Sequence, residues 1–318
     1  MAKAAVSLSG RDILDLASLQ VEEYDLILKT AEEMKKIIHR DIKKVPTLRG
    51  KSVVTLFYEA STRTRTSFEL AGKYLGADVV NISTATSSVT KGESLRDTLY
   101  TLEAMCFDAI VMRHPVEGSA EYAAKIVDSV ILNAGDGAHA HPTQGLLDMF
   151  TIKQYKKEFG GLKMAILGDI LHSRVARSNI AGLSKLGVEI HVAGPRPLIP
   201  REIEVLGVTA HDTIEDAIRN ADVIDVLRIQ LERQKVGFFP TNREYARIFG
   251  LNEKRLKLAK SDVLILHPGP VNRGLEISPD VAYSDKSAIR EEVKNGVAIR
   301  MALLYLTLTG GKQIETID

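Results

Sequence analysis

Short, nearly continuous apolar runs at Ser52–Phe57, Ala77–Ile82, Phe107–Met112 and Val130–Leu132 alternate with longer stretches whose apolar residues recur every three or four positions. The short runs predict strands buried on both faces and the longer stretches predict helices, so their alternation implies a parallel sheet covered on both sides. A second series, Leu162–Leu167, Val188–Ala193, Val223–Leu227 and Val263–Leu266, repeats the pattern. The expected class is α/β, with two doubly wound domains, each built on a central parallel sheet. Glu22–Ile38 carries Tyr24, Ile27, Leu28, Ala31, Met34 and Ile37 on one helical stripe. The last stretch, Ala288–Leu308, places Ile289, Val293, Val297, Met301, Leu304 and Leu308 on a helical face that should pack, and its spacing fits either domain. The boundary is expected near Pro142–Lys153.

Ligands of open parallel sheets bind beyond the carboxyl ends of the strands, and nearly every such end here is polar. The first strand leads into Ser61-Thr62-Arg63-Thr64-Arg65-Thr66, which opens a helix whose Phe68, Ala71, Tyr74 and Leu75 recur at helical spacing. Backbone N–H groups and the positive end of the helix dipole favour an anion there, and Arg63 with Thr62 and Thr64 adds donors. Arg63 and Arg65 point to different faces of a helix, so only one is expected to touch the ligand. The second strand leads to Ser87 and Lys91, the third to Arg113-His114-Pro115, and the fourth to Gly135-Asp136-Gly137 and His141-Pro142-Thr143-Gln144. In the second series the ends carry Asp169 and Arg174, Arg228 and Gln230, and His267-Pro268-Gly269-Pro270. Gly135-Asp136-Gly137 reads as a turn beside the site.

The composition removes several classes. With 42 Lys and Arg against 41 Asp and Glu the net charge is +1, so there is no global field for nucleic acid or an acidic membrane, and anion binding must be local. One cysteine, Cys106, excludes an intramolecular disulfide and a Cys-rich zinc site; it reads as buried filler in a chain of the reducing cytosol. No apolar run approaches a membrane span and Met1–Gly10 lacks a long apolar core, so a soluble, cytoplasmic protein is expected. Leu167-Gly168-Asp169 occupies the place of a dinucleotide fingerprint but lacks its glycine spacing, and there is no P-loop motif. The histidines, including His139 and His141, match no zinc spacing. No Ser, Cys or Lys stands beside a base as an activated nucleophile. Arginines and a histidine around one phosphate instead suit expulsion of phosphate from an activated substrate, driven by positioning and electrostatics.

Ser61–Arg65 with Ser67-Phe68-Glu69, Lys91-Gly92-Glu93, Arg113-His114-Pro115 and His141–Gln144 resemble the aspartate/ornithine carbamoyltransferase family over almost the whole chain. Arg228–Arg233 and His267–Gly274 further resemble its aspartate branch, whereas the His-Cys-Leu-Pro and Ser-Met-Gly segments typical of the ornithine branch are missing. The resemblance implies a carbamoyl phosphate domain at 1–142, completed by a C-terminal helix at 288–318, an aspartate domain at 143–287, and an active site in the cleft between them. It implies that Ser61, Thr62, Arg63, Thr64 and Arg113 hold phosphate, and that Thr64, Arg113 and His141 polarise the carbonyl oxygen. Gln144 and the backbone around Pro268, Gly269 and Pro270 would accept from the carbamoyl NH₂. Arg174, Arg228 and Gln230 would bind the two carboxylates of aspartate. Ser87 and Lys91 would act in a neighbouring subunit of a homotrimer, and the Leu231–Asn242 loop would close on aspartate. No metal or organic cofactor is implied.

The Gly269 and Val271–Gly274 stretch departs from the regulated enteric form. Association with a regulatory chain, association with dihydroorotase, and a trimer alone are therefore all left open. The alternative functions are carbamoyl transfer to ornithine or another amino acid, and a silent phosphate-binding scaffold subunit.

Overall fold

The structure, a computed structural model, describes residues 6–83, 92–229 and 241–309. The chain forms two compact units, one of Met1–Leu147 with Val293–Asp318 and the other of Asp148–Glu292. The division falls inside the helix Pro142–Lys156 and again inside the last helix, Ile289–Thr309.

In the first unit, strands β1 (Ser52–Phe57), β2 (Asp78–Ser83), β3 (Ala109–His114) and β4 (Val130–Asp136) form a parallel sheet in the order β2-β1-β3-β4. β1 and β4 are buried almost throughout, as continuous apolar strands under helices must be. The chain runs outward from β1 to β2 and then crosses to β3 on the other side, so the strand order reverses between β1 and β3.

The second unit has β5 (Lys163–Leu167), β6 (Glu189–Ala193), β7 (Thr209–His211), β8 (Val223–Val226) and β9 (Leu264–Leu266), all parallel, in the order β7-β6-β5-β8-β9. The edge strand β7 went unread in the sequence because its three residues include no apolar run. Here the order reverses between β5 and β8. Two glycines let the ends of β5 and β6 approach. Gly168 has φ +120°, and a Cβ on Gly194 would lie 2.1 Å from the Gly168 carbonyl oxygen.

The Val21–Ile38 helix buries all six residues of its expected stripe. The last helix packs in the first unit, and on more than the expected face: Met301 and Leu304 are buried, Val293 is exposed, and from Ala298 to Leu306 every residue is buried. A helix covered all round has no single apolar stripe to read. Cys106 is also not filler. It is exposed, in a left-handed conformation (φ +59°) just past the helix Leu95–Ala104, which turns its side chain outward. The Gly135–Gly137 segment is strand as far as Asp136, whose buried carboxylate accepts from the Gly118 N–H (2.7 Å) and the Asn133 amide (2.8 Å) and so anchors the chain leading to His141. No helix among the described residues is long and apolar enough to cross a membrane.

Candidate active site

Each unit presents its candidate side chains at the carboxyl edge of its own sheet, beside the reversal of strand order. In the first unit β1 and β3 run in register with Phe57 beside Arg113, so the Ser61–Thr64 turn and the Arg113-His114 pair leave adjacent strands at one edge. Ser61 holds the N-cap position of the helix Thr62–Tyr74 in an extended conformation, and its side chain makes no capping hydrogen bond. The first-turn N–H groups are thus not capped from within by serine. Thr62 and Arg63 are exposed, Arg65 is half-buried, and Thr64 is buried.

Arg113 is oriented by a residue that the sequence did not single out. Its Nε donates to Glu59 at 3.1 Å, with only 13% and 15% of the two side chains exposed. One guanidinium NH₂ also reaches the Ala134 carbonyl at 3.5 Å. A charge-assisted bond to the inner edge of the fork fixes the plane in which the rest of the group acts. His114 is tied into its own turn. Its Nδ1 accepts from the Val116 N–H (3.0 Å), its ring leans on Tyr58, and burial lowers its pKa from the ordinary value. His141 is 5% exposed and opens the turn into Pro142–Lys156, which carries the buried Gln144. Its Nδ1 lies 3.5 Å from the Thr143 hydroxyl, toward which Arg300 of the last helix extends (3.4 Å) while stacking on Phe68.

In the second unit the edge between β5 and β8 carries Asp169, Arg174 and Arg228. Ser173 caps the helix Arg174–Lys185 by accepting from the Ala176 N–H at 3.1 Å, which places Arg174 at the first helical residue with 6% exposure. The Asp169 carboxylate is engaged by His172, through both its backbone N–H (3.1 Å) and its Nδ1 (3.0 Å). Arg228 is half-buried just past β8, and the next carbonyl, of Ile229, accepts from the Asn272 amide at 3.0 Å. Beyond β9 lies His267–Pro270. Gln230, Ser87, Lys91 and residues 231–240 of the expected closing loop lie outside the described residues.

One electrostatic feature unites these places. Eight of the eleven α-helices among the described residues carry Asp or Glu in the first turn, where the helix dipole favours it. The three without an acid there begin at Thr62, Pro142 and Arg174, each following the carboxyl end of a strand in its own unit. Two of them carry arginine at the positive end instead, an arrangement that costs stability unless an anion offsets it.

Beneath the second sheet edge is a buried polar cluster. The Asn179 amide donates to Asp148 (2.9 Å) and to Asp225 (3.0 Å), and Glu292 accepts from the His267 N–H (3.0 Å). Burial pushes Asp225 up to about 6, and burial together with the Asp148 carboxylate pushes Glu292 well above the carboxylate range. The sequence offered no motif for this cluster. The only signal was an aspartate in the otherwise apolar β8.

Two family profiles together match most of the chain: the carbamoyl-P binding domain of aspartate/ornithine carbamoyltransferase over residues 11–154, and the Asp/Orn binding domain over residues 160–307. The chain belongs to the aspartate/ornithine carbamoyltransferase family. It is 61% identical over 302 residues to the aspartate carbamoyltransferase catalytic subunit of Desulforamulus reducens, covering 95% of this chain and 96% of the relative. It is 62% identical over 303 residues to that of Moorella thermoacetica, with 95% and 99% covered. Among solved structures, the aspartate transcarbamoylase of Trypanosoma cruzi in complex with N-(phosphonacetyl)-L-aspartic acid matches with TM-score 0.86 at 30% identity, covering 95% of this chain and 97% of that one. The ornithine carbamoyltransferase of Pyrococcus furiosus also matches with TM-score 0.86, at 31% identity and 97% and 100% coverage. The carbamoyltransferase fold is therefore common to both acceptors and does not separate them; the 61–62% identity to the Desulforamulus and Moorella aspartate enzymes favours aspartate.

Proposed function

We propose that this enzyme transfers the carbamoyl group of carbamoyl phosphate to the amine of L-aspartate, giving N-carbamoyl-L-aspartate and phosphate. The observation that carries the choice of acceptor is the pair Arg174 and Arg228 at the β5/β8 reversal, with no acid in the adjoining helical turn and the Asp169 carboxylate of that edge engaged by His172. Two guanidinium groups suit the two carboxylates of aspartate, whereas ornithine requires an acidic partner for its second amine.

In this reading Ser61, Thr62, Arg63 and Thr64 bind the phosphate at the helix N-terminus, and Arg113, held by Glu59, spans phosphate and carbonyl oxygen. Thr64, Arg113 and His141 stabilise the negative charge that grows on that oxygen as the amine attacks. Gln144 and the carbonyls around Pro268, Gly269 and Pro270 accept from the carbamoyl NH₂ and orient the plane that the amine must approach. Arg174, Arg228 and Gln230 bind aspartate. The departing phosphate takes the proton lost by the amine, so no side chain is assigned as general base. Ser87 and Lys91 are assigned to the site of a neighbouring subunit in a cytoplasmic homotrimer, and the reaction to pyrimidine biosynthesis.

The test is phosphate release from carbamoyl phosphate with L-aspartate or L-ornithine in parallel, with the product confirmed by mass. Aspartate-dependent turnover is expected. Turnover with ornithine alone would overturn the assignment of Arg174 and Arg228. Mixing inactive Lys91→Ala and Arg228→Ala chains should restore part of the activity, and no recovery in assembled mixed trimers would remove the shared site.

A further inference from the structure

The His267–Pro270 turn lacks something most backbone turns have: an N–H to offer. Pro268 and Pro270 carry none. The His267 N–H donates to the buried Glu292 carboxyl (3.0 Å), and the Gly269 N–H donates to His267 Nδ1 (2.8 Å). A ring nitrogen that accepts cannot also hold a proton, so Nδ1 is bare and the imidazole proton sits on Nε2. Nε2 faces Glu276 Oε1 at 3.0 Å, in a pair with 0% and 1% exposure, and the same oxygen accepts from the Asn272 N–H at 2.6 Å. Glu276 thereby fixes the tautomer of His267, and that tautomer consumes the last donor of the turn. Every hydrogen bond the turn makes to a ligand must then use its carbonyls, which recognise only a donor.

We propose that Glu276, acting through His267, is a positioning residue that keeps the His267–Pro270 turn donor-free, so that the enzyme selects the NH₂ of a carbamoyl phosphate over the methyl of an otherwise matching acyl phosphate. This rests on the reading that the turn faces the carbamoyl group. A methyl there offers those carbonyls no donor, and sites built to bond a polar group reject analogues lacking it far more strongly than apolar pockets discriminate by size. Without Glu276 the imidazole is free to take the other tautomer, placing a proton on Nδ1 against the Gly269 N–H. The turn must then shift, and its carbonyls lose their aim.

The experiment compares kcat/KM for carbamoyl phosphate and acetyl phosphate, at saturating L-aspartate, in the wild-type enzyme and in Glu276→Gln and Glu276→Ala. Wild type should favour carbamoyl phosphate by about 100-fold or more. Glu276→Gln keeps an oxygen for His267 and Asn272, with its amide nitrogen replacing Oε2, which has no partner, so its ratio should stay within about threefold of wild type. Glu276→Ala should cut the ratio about tenfold, mainly by loss of carbamoyl phosphate turnover. Equal losses on both acyl phosphates would mean that Glu276 only supports the fold, and would overturn the proposal. Should Glu276→Ala not fold, neutron diffraction on the wild-type enzyme decides: a deuteron on Nε2 of His267 and none on Nδ1 is expected, and the reverse refutes it. A wild type that turns over both acyl phosphates equally refutes this proposal alone. Turnover of neither removes the proposed function, and this proposal with it.

Discussion

Asp225 stands in the middle of β8 with 0% exposure, and replacing it with asparagine should make the second unit more stable at neutral pH than at acid pH, relative to wild type. One oxygen accepts from Asn179 at 3.0 Å, and the other has no hydrogen-bond partner. Burial is the main reason that its pKa stands at about 6 rather than 3.8, with the Asn179 hydrogen bond pulling the other way. The folded state therefore holds a proton that the unfolded state has already lost. Stability contributed by this group is complete below about pH 4 and is lost as pH rises toward about 6. A shift of about two units corresponds to roughly 3 kcal/mol, of which about 2 kcal/mol falls between pH 4.5 and 7.5. In Asp225→Asn this loss is absent, and removing the charge also relieves Glu292, whose own upward shift includes repulsion from Asp225. The asparagine oxygen can still accept from Asn179. Hydrogen exchange of the β8 amides, measured by mass spectrometry and corrected for intrinsic rates, reports the opening free energy of this region without requiring two-state unfolding of the whole chain. Relative to wild type, the variant should gain about thirty-fold in protection between pH 4.5 and 7.5. An unchanged difference at the two pH values, or one of opposite sign, would refute the argument that Asp225 is buried against its charge.

Other expectations follow from single contacts. Glu59→Gln weakens the charge-assisted bond to Arg113 by about 1–2 kcal/mol, so kcat/KM for carbamoyl phosphate should fall about tenfold with little change in melting temperature; unchanged kinetics would mean that Arg113 is aimed by other groups. Ser173→Ala removes the cap before Arg174 and should cost about 1 kcal/mol of stability while raising KM for L-aspartate, read by thermal scans and by aspartate titration. Gly194→Ala drives a Cβ into the Gly168 carbonyl and should destabilise the second unit by about 3 kcal/mol or more, seen as loss of soluble protein or of cooperative melting. Normal folding of that variant would mean that the β5 and β6 ends can separate without penalty.

Much of this protein was legible in its sequence because the signals are local. Continuous apolar runs mark strands buried on both faces, the stripe from Tyr24 to Ile37 marks a helix, and Ser61–Thr64 follows a strand and opens a helix wherever the rest of the chain goes. Such features depend on backbone geometry and on neighbours a few residues away. Strand order is not of this kind. Eight apolar runs of similar length pair interchangeably by composition, and only the packed sheets place β1 beside β3 and β5 beside β8, bringing Thr64 to the same edge as Arg113 and Arg174 to the same edge as Arg228. The buried acids were equally hidden. Glu292 meets His267 across 25 positions and Asn179 meets Asp225 across 46, so whether each carboxylate is a solvated surface charge or a buried support depends on which distant segment covers it. The sequence determined which elements form and which chemistry their ends carry, since both follow from short-range geometry and side-chain type. The tertiary structure alone decided which ends meet and which charges leave water, because those are settled by long-range packing and by the desolvation that packing imposes.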